Sequence, residues 1–381
     1  MEKIMIKEDS RPPEYCYWDL LMEHLGNDTS VFFNDEVVYP RQLEIHLPGD
    51  HISPCALNCN HCAGKYFQKD LGTWEMTALD LLNNLKGAIP YHIYGGAYTE
   101  PLMNPYLMAL LHTTKKYGNY LGIHTSGHLL LKLEEQFGWL TELNRISTDR
   151  IDYLSVSLDA GLPWSWAKTK GTKESQIFNE IVEGLRQSVK IRKKTGKGHA
   201  IRVCYLISPH SDSEENFSVI SSIAKEIGVD SLRFSIPFAC YNQPFGKVRE
   251  YKKNREVVMT DVYRERLEPY LSKSVNDRPY IFYTGPEFTD IDRFNFKKCI
   301  YCYFQITYGA DGYVYKCSTT ATPTMKFCRL GKITSDLDEF KTFIRKNANI
   351  NWDADTCFSQ GARCNRMGLE INTEYELLGR S

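Results

Sequence analysis

The chain has 381 residues, room for one large domain with a small one or for two medium domains. A formal net charge of −1, with 42% hydrophobic and 24% charged residues, is that of an ordinary globular protein and argues against a nucleic-acid partner. No run of about eighteen apolar residues occurs and the start of the chain has no signal-peptide core, so neither a membrane span nor export is expected. Twelve cysteines in that setting read as reduced thiols or metal ligands in a cytoplasmic protein rather than as disulfides.

An amino-terminal extension, residues 1–40, precedes a region of alternating strand and helix patterns over 41–242. Leu43-Glu-Ile-His-Leu47 predicts a first strand, with a cysteine loop after it. Thr77 reads as the cap of a helix whose Leu79, Leu82 and Leu85 form an apolar stripe. Strands follow at Tyr91–Tyr94, running into Gly95-Gly96, at Tyr120–His124 and at Tyr153–Leu158. Phe178, Ile181, Val182 and Leu185 mark a helix, and the basic run Lys190 to Lys194 with Lys197 reads as its solvated end, with a phosphate-bearing substrate as the alternative. Ile201–Ile207 is the fifth strand, Phe217 to Ile227 a helix ended by Gly228, and Ser231–Ser235 the sixth strand. Six such units imply parallel pairing with right-handed crossovers, as an incomplete barrel or an open doubly wound sheet. In either, the loops after the strands' carboxyl ends form the active site. Composition then shifts: residues 243–298 form a polar, aromatic linking or barrel-completing segment, and 299–381 a second cysteine-rich segment.

The run Cys55-Ala-Leu-Asn-Cys59-Asn-His-Cys62 carries the most chemistry. Three thiolates at C-x3-C-x2-C spacing can hold three irons of a 4Fe–4S cube and leave the fourth open for a chelating ligand. A structural zinc site is the alternative, but it needs four closed ligands, and His61, adjacent to Cys62, is badly placed to share one tetrahedron with it.

With His61 in the aromatic position of a C-x3-C-x-aromatic-C run, the sequence resembles the radical S-adenosylmethionine (radical SAM) superfamily. The resemblance implies a partial (β/α)6 TIM-like barrel and a cluster at Cys55, Cys59 and Cys62 whose open iron chelates SAM. One electron from a flavodoxin- or ferredoxin-type reductant then releases a 5'-deoxyadenosyl radical that abstracts a hydrogen atom from substrate carbon. His61 would lie near the adenine. Gly95-Gly96 with Glu100-Pro101 resembles the family's Gly-Gly-Glu-Pro segment, although Ala-Tyr-Thr separates the two pairs here. Ser157 and Asp159 resemble the Ser-x-Asp of related enzymes, with Lys168 or Lys170 as the cation for the SAM carboxylate and Thr125-Ser126-Gly127 near the ribose or substrate. A strand-end turn is the plainer reading of Ser155, Ser157 and Asp159. Cys240, beyond the sixth strand, is a possible hydrogen-atom donor to a substrate radical, whereas Cys204, within the fifth, reads as an inert buried thiol. Cys16 is assigned no role.

The carboxyl-terminal segment holds Cys299, Cys302, Cys317, Cys328, Cys357 and Cys364. Gly309-Ala-Asp-Gly312 between Phe304–Tyr308 and Tyr313–Tyr315 predicts a β-hairpin that gathers Cys302 and Cys317. This C-x9-G-x4-C pattern resembles the opening of SPASM and Twitch extensions, which hold auxiliary 4Fe–4S clusters. Six cysteines are too few for two fully thiolate-bound clusters, so one auxiliary cluster is expected from Cys302, Cys317, Cys357 and Cys364, with Cys299 competing and Cys328 ambiguous. Zinc on the same thiolates is the alternative.

The expected function is a radical SAM enzyme that oxidises or epimerises a small natural product or sugar. The forty-residue extension is too short for the winged-helix module of many peptide maturases, but maturation of a ribosomal peptide stays open. The rival of another class is a non-catalytic iron–sulfur electron-transfer or metal-structural protein.

Overall fold

The structure is a computed structural model that describes residues 11–33, 38–47, 55–59, 62, 75–96, 99–236, 259–274, 276–284, 298–321, 328–332, 338, 341–343 and 366–379. In chain order the main elements are α1 (Tyr17–His24), β1 (Gln42–Ile45), α2 (Glu75–Leu85), β2 (Tyr91–Tyr94), α3 (Leu107–Lys116), β3 (Tyr120–Thr125), α4 (Leu130–Phe137), α5 (Trp139–Ile146) and β4 (Tyr153–Ser157). There follow α6 (Pro163–Lys170), α7 (Ile177–Thr195), β5 (Ala200–Leu206), α8 (Glu214–Ile227), β6 (Ser231–Ser235), α9 (Met259–Leu267), β7 (Tyr280–Thr284), β8 (Gln305–Tyr308), β9 (Tyr313–Tyr315), β10 (Arg329–Lys332) and α10 (Arg366–Leu378).

All six strands expected of the barrel form, and the sheet order β1-β2-β3-β4-β5-β6-β7 decides between the two architectures. Each strand pairs parallel with the next, for example Val156 with Val203 and Val203 with Leu232. A doubly wound sheet reverses its order at a switch point, whereas a barrel wall runs on in one direction. The fold is therefore α/β, a partial TIM-like barrel. β7, a Tyr-Ile-Phe-Tyr-Thr run in the 243–298 segment, extends it by a strand that the sequence reading did not identify. Thr77 lies inside α2, which begins at Glu75, so it is not the cap.

One face of the sheet is apolar. Leu121, Ile123, Leu154, Val156, Ile201, Val203, Leu232 and Phe234 are buried against the stripes of the outer helices. On α7 that stripe is Phe178, Ile181, Val182, Leu185 and Val189, at helical spacing and all buried. Each such side chain contributes about 1.5–3 kcal/mol by leaving water. The other face carries Glu44, Tyr153, Ser155, Arg202, Cys204 and Arg233, which strand alternation turns to the barrel interior.

The expected hairpin forms as β8 and β9. It is continuous with the barrel: β8 pairs parallel with β1, Gln42 opposite Gln305 and Ile45 opposite Tyr308. The amino-terminal segment closes the interior from below, with the Tyr15 ring 4.8 Å from Phe282 of β7 and the Arg202 and Arg233 guanidinium groups each 5.5 Å from it. Leu21 of α1, Phe32, Ile300, Tyr301 and Ile371 of α10 share a satellite core. Arg11 pairs with Glu370 at 2.7 Å, tying the first described residues to the last helix.

Candidate metal and cofactor site

The cysteine loop follows the carboxyl end of β1, where a parallel barrel keeps its active site. Cys55, Cys59 and Cys62 are each half-buried. The Leu57 amide donates to Cys55 Sγ at 3.4 Å and the Cys62 amide to the Cys59 carbonyl at 3.1 Å. The Asn58 amide donates to the Lys170 carbonyl at 3.1 Å, anchoring the loop on the last turn of α6. Gly171, at φ +65°, ends that helix, and any Cβ there would collide with the Asn58 carbonyl. Only glycine combines that backbone with that approach.

Burial pushes the Cys55 thiol up to about 12, and the nearby Glu100 carboxylate adds to the effect. Burial likewise raises Cys59 to about 11, with the Lys170 ammonium pulling the other way. A metal bound at such thiols would couple its binding to thiolate formation. Among the described residues, no three His, Cys, Asp or Glu side chains converge on one point as a single metal ion requires. A cubane differs in taking one thiolate at each corner iron, and the donor set of three closely spaced thiols fits it.

Two buried polar assemblies flank the thiols. Glu100, 1% exposed, accepts from the Thr125 hydroxyl at 2.5 Å, the Ser126 amide at 2.8 Å, the Ser126 hydroxyl at 2.5 Å and the Leu102 amide at 3.2 Å. Its carboxylate thus ties the loop after β2 to the loop after β3, and His128 Nδ1 sits 2.7 Å from the same Ser126 hydroxyl. Gly95 and Gly96 lie against the wall: a Cβ on Gly95 would stand 2.7 Å from the His124 carbonyl, one on Gly96 2.6 Å from the His46 ring.

In the second assembly, Lys170 Nζ donates to Asp159 Oδ2 at 2.5 Å and to the Ser157 carbonyl at 2.8 Å. Asp159 Oδ1 accepts from the Leu206 amide at the end of β5, at 2.8 Å. Burial is the largest single influence on Lys170 and opposes its charge, but Asp159, by charge and hydrogen bond, together with the Cys59 and Cys55 sulfurs outweighs it, and the ammonium pKa is raised. Of the two candidate lysines only Lys170 is brought in. Lys168 is exposed, its ammonium 5.3 Å from the Trp164 ring centre. His61, Cys240, Cys357 and Cys364 lie outside the described residues.

No protein-family model matches the chain, and no curated protein does. Solved structures do. The crystal structure of Streptococcus suis SuiB superimposes with a TM-score of 0.50 at 13% identity, over 77% of this chain and 63% of SuiB. The chain shares the fold of SuiB. SuiB bound to S-adenosylmethionine gives a TM-score of 0.49 at 14% identity, over 77% of this chain and 63% of that one. SuiB bound to precursor peptide SuiA gives 0.49 at 13% identity, over 83% and 67%. This chain therefore matches less than two thirds of the SuiB chain in the first superposition.

Within this fold, Cys299, Cys302 and Cys317 all pack on the satellite core. The Asn372 amide donates to Cys299 Sγ at 3.5 Å, Cys302 Sγ to the Cys299 carbonyl at 3.7 Å, and Cys317 Sγ lies 3.4 Å from the Thr320 hydroxyl. Burial pushes Cys302 up to about 12, against the pull of Lys316. Cys328 is buried at 1% exposure.

Sequence reasoning passed over the polar barrel interior. Cys204 is buried, as expected, but it is not isolated: Ser155 Oγ lies 3.2 Å from its sulfur and Arg233 Nη2 donates to it at 3.3 Å. Glu44, at the base of the same interior, is held by His46 and by Gln305, each at 2.6 Å. The available signal was a single arginine set into each of two apolar strand runs, Ile-Arg-Val in β5 and Leu-Arg-Phe in β6.

Proposed function

We propose that this protein is a radical SAM enzyme that holds a 4Fe–4S cluster on Cys55, Cys59 and Cys62. One observation carries the reading: a C-x3-C-x2-C loop sits at the carboxyl end of the first strand of a barrel with the SuiB fold, between the buried Glu100 and Lys170 assemblies. Held there by Cys55, Cys59 and Cys62, such a cluster would supply the one-electron reduction of bound SAM on which radical chemistry at a substrate carbon depends.

The chain's own residues hold and shield that centre. Lys170 fixes the loop backbone through its carbonyl, while its ammonium joins Asp159 to the end of β4. Glu100 locks the β2 and β3 loops together, so the rim keeps one shape. Cys302 and Cys317 would hold one auxiliary cluster with Cys357 and Cys364, Cys299 being adjacent. The substrate is a small natural product, a sugar or a peptide, and the outcome an oxidation or an epimerisation.

The test is anaerobic reconstitution with iron, sulfide, dithionite and SAM. The wild type should form 5'-deoxyadenosine, and a C55A/C59A/C62A variant should form none while keeping the iron of the auxiliary site. Equal iron content and equal SAM cleavage in the two proteins would sink the proposal.

A further inference from the structure

Arg233 lies on the inward face of β6, with Ser231 and Ser235 on the same face. It is half-buried within the wall. Its contacts are a thiol, Cys204 Sγ at 3.3 Å, and the Tyr15 ring at 5.5 Å. Among the described residues no carboxylate pairs with it, and its buried Nε has no hydrogen-bond partner. Ser235, 1% exposed and last in the strand, has a buried hydroxyl that is likewise unpartnered. His124, inward on β3 and hydrogen-bonded to the Tyr153 hydroxyl at 2.9 Å, remains open to the same interior.

An enclosed cation without a counter-charge is unfavourable, and orphaned donors nearby add to the cost. The other interior arginine shows the contrast, because Arg202 has Glu14 at 3.8 Å and stacks 4.1 Å above the Tyr153 ring. Glu44, an acid of the same interior, is already engaged by His46 and Gln305. What is left over is a planar guanidinium fork at the middle of β6 plus a hydroxyl at its carboxyl end, both donors. That arrangement matches an oxyanion, which accepts from two edges at once.

We propose that Arg233 and Ser235 form the anchor for an anionic group, a carboxylate or a phosphate, on the substrate. The assignment rests on the enzyme reading for the word substrate, but the anion site itself does not. Arg233 is a specificity-determining residue in this scheme. It fixes the anionic end of the molecule deep in the barrel and leaves the remainder directed toward the cysteine loop. The Cys204 thiol, itself in contact with the Ser155 hydroxyl, holds the guanidinium from the side and orients the fork.

The test uses the cluster-loaded protein under anaerobic conditions with propionate, inorganic phosphate and methylammonium as probes. Binding is read by saturation-transfer NMR for the organic probes and phosphorus line broadening for phosphate. Wild type should retain propionate, phosphate or both, the two arms identifying the anion, and should ignore methylammonium. Arg233→Gln should weaken retention by about 10-fold or more, the scale of one charge-assisted hydrogen bond. Arg233→Lys, which keeps the charge and volume, should retain part of it, Ser235→Ala should lose a smaller part, and Arg266→Gln on the outer surface should change nothing. A folded wild type that retains neither anion overturns the proposal, as does equal retention by Arg233→Gln and Arg233→Lys. Competitive displacement of the anion by SAM overturns it too, since the site would then belong to the cofactor. SAM cleavage measured in the same preparation separates the two readings. Anion retention without 5'-deoxyadenosine sinks the enzyme and keeps the anion site, whereas cleavage without retention does the reverse.

Discussion

The Lys170 ammonium stands 2.5 Å from Asp159 Oδ2 with both side chains almost wholly buried, while the carbonyl of the same lysine receives the Asn58 amide from the cysteine loop. One residue thus couples a buried ion pair to the backbone that presents Cys59. Breaking a buried pair leaves the survivor uncompensated, so Lys170→Met and Asp159→Asn should each cost about 3–5 kcal/mol. Urea unfolding of the two variants checks this. Because the Lys170 pKa is raised on folding, the pair's contribution is complete below the unfolded lysine pKa and is lost as pH climbs through the folded one. The stability difference between wild type and Lys170→Met should therefore shrink only in strong alkali.

Gly171→Ala should strain the helix end and push against the Asn58 carbonyl. A cost of about 1–3 kcal/mol is expected from the backbone conformation and the close approach together. Iron bound per chain after reconstitution should fall by the content of one cluster, or its release to a chelator should accelerate. Iron retention equal to wild type would show that the loop does not depend on this contact.

Glu100→Gln should be destabilising despite its small size change. The carboxylate receives four donors, a backbone N–H on each oxygen among them, so an amide nitrogen in either place would face an N–H instead of an acceptor. A loss of about 1.5–3 kcal/mol follows from removing charge-assisted hydrogen bonds. Thermal unfolding of the variant beside Glu100→Asp, which keeps the charge, separates charge from reach.

His92 and His199 are buried and each has its pKa driven down by desolvation to about 3. The unfolded chain binds protons on these rings near the ordinary histidine pKa, so folding is weakened as pH falls from about 6.5 toward 3. Each ring contributes a slope of about 1.4 kcal/mol per pH unit within that window. His199→Gln should remove one such slope, measurable as the pH dependence of the urea midpoint between pH 7 and 4.5. Its partner Ser188, 3.0 Å away, can hydrogen-bond to the amide in turn.

How much of this was readable in advance varies by feature. The six barrel strands were, because apolar residues alternate or cluster over short runs bounded by turns. β7 was not, although Tyr280–Thr284 is rich in aromatic and β-branched residues; a polar surrounding segment masked a run of only five residues. The hairpin at Gly309–Gly312 was readable from its turn, but its pairing with β1 joins segments about 260 residues apart and leaves no local trace. Lys168 and Lys170 were indistinguishable in sequence, since two positions along a helix set the direction of a side chain only once the helix is docked.

The sequence by itself determined the chemistry that short spacing can encode: three thiols within eight residues after a strand, and a second set around a tight turn. Only the tertiary structure decided the barrel over the doubly wound sheet, the choice of Lys170 over Lys168, and the interior position of Arg233, with no carboxylate paired to it among the described residues. The reason is the range of the interactions. Ligand spacing and turn formation depend on neighbours in the chain, whereas strand order and the pairing of buried charges depend on which distant segments share one desolvated space.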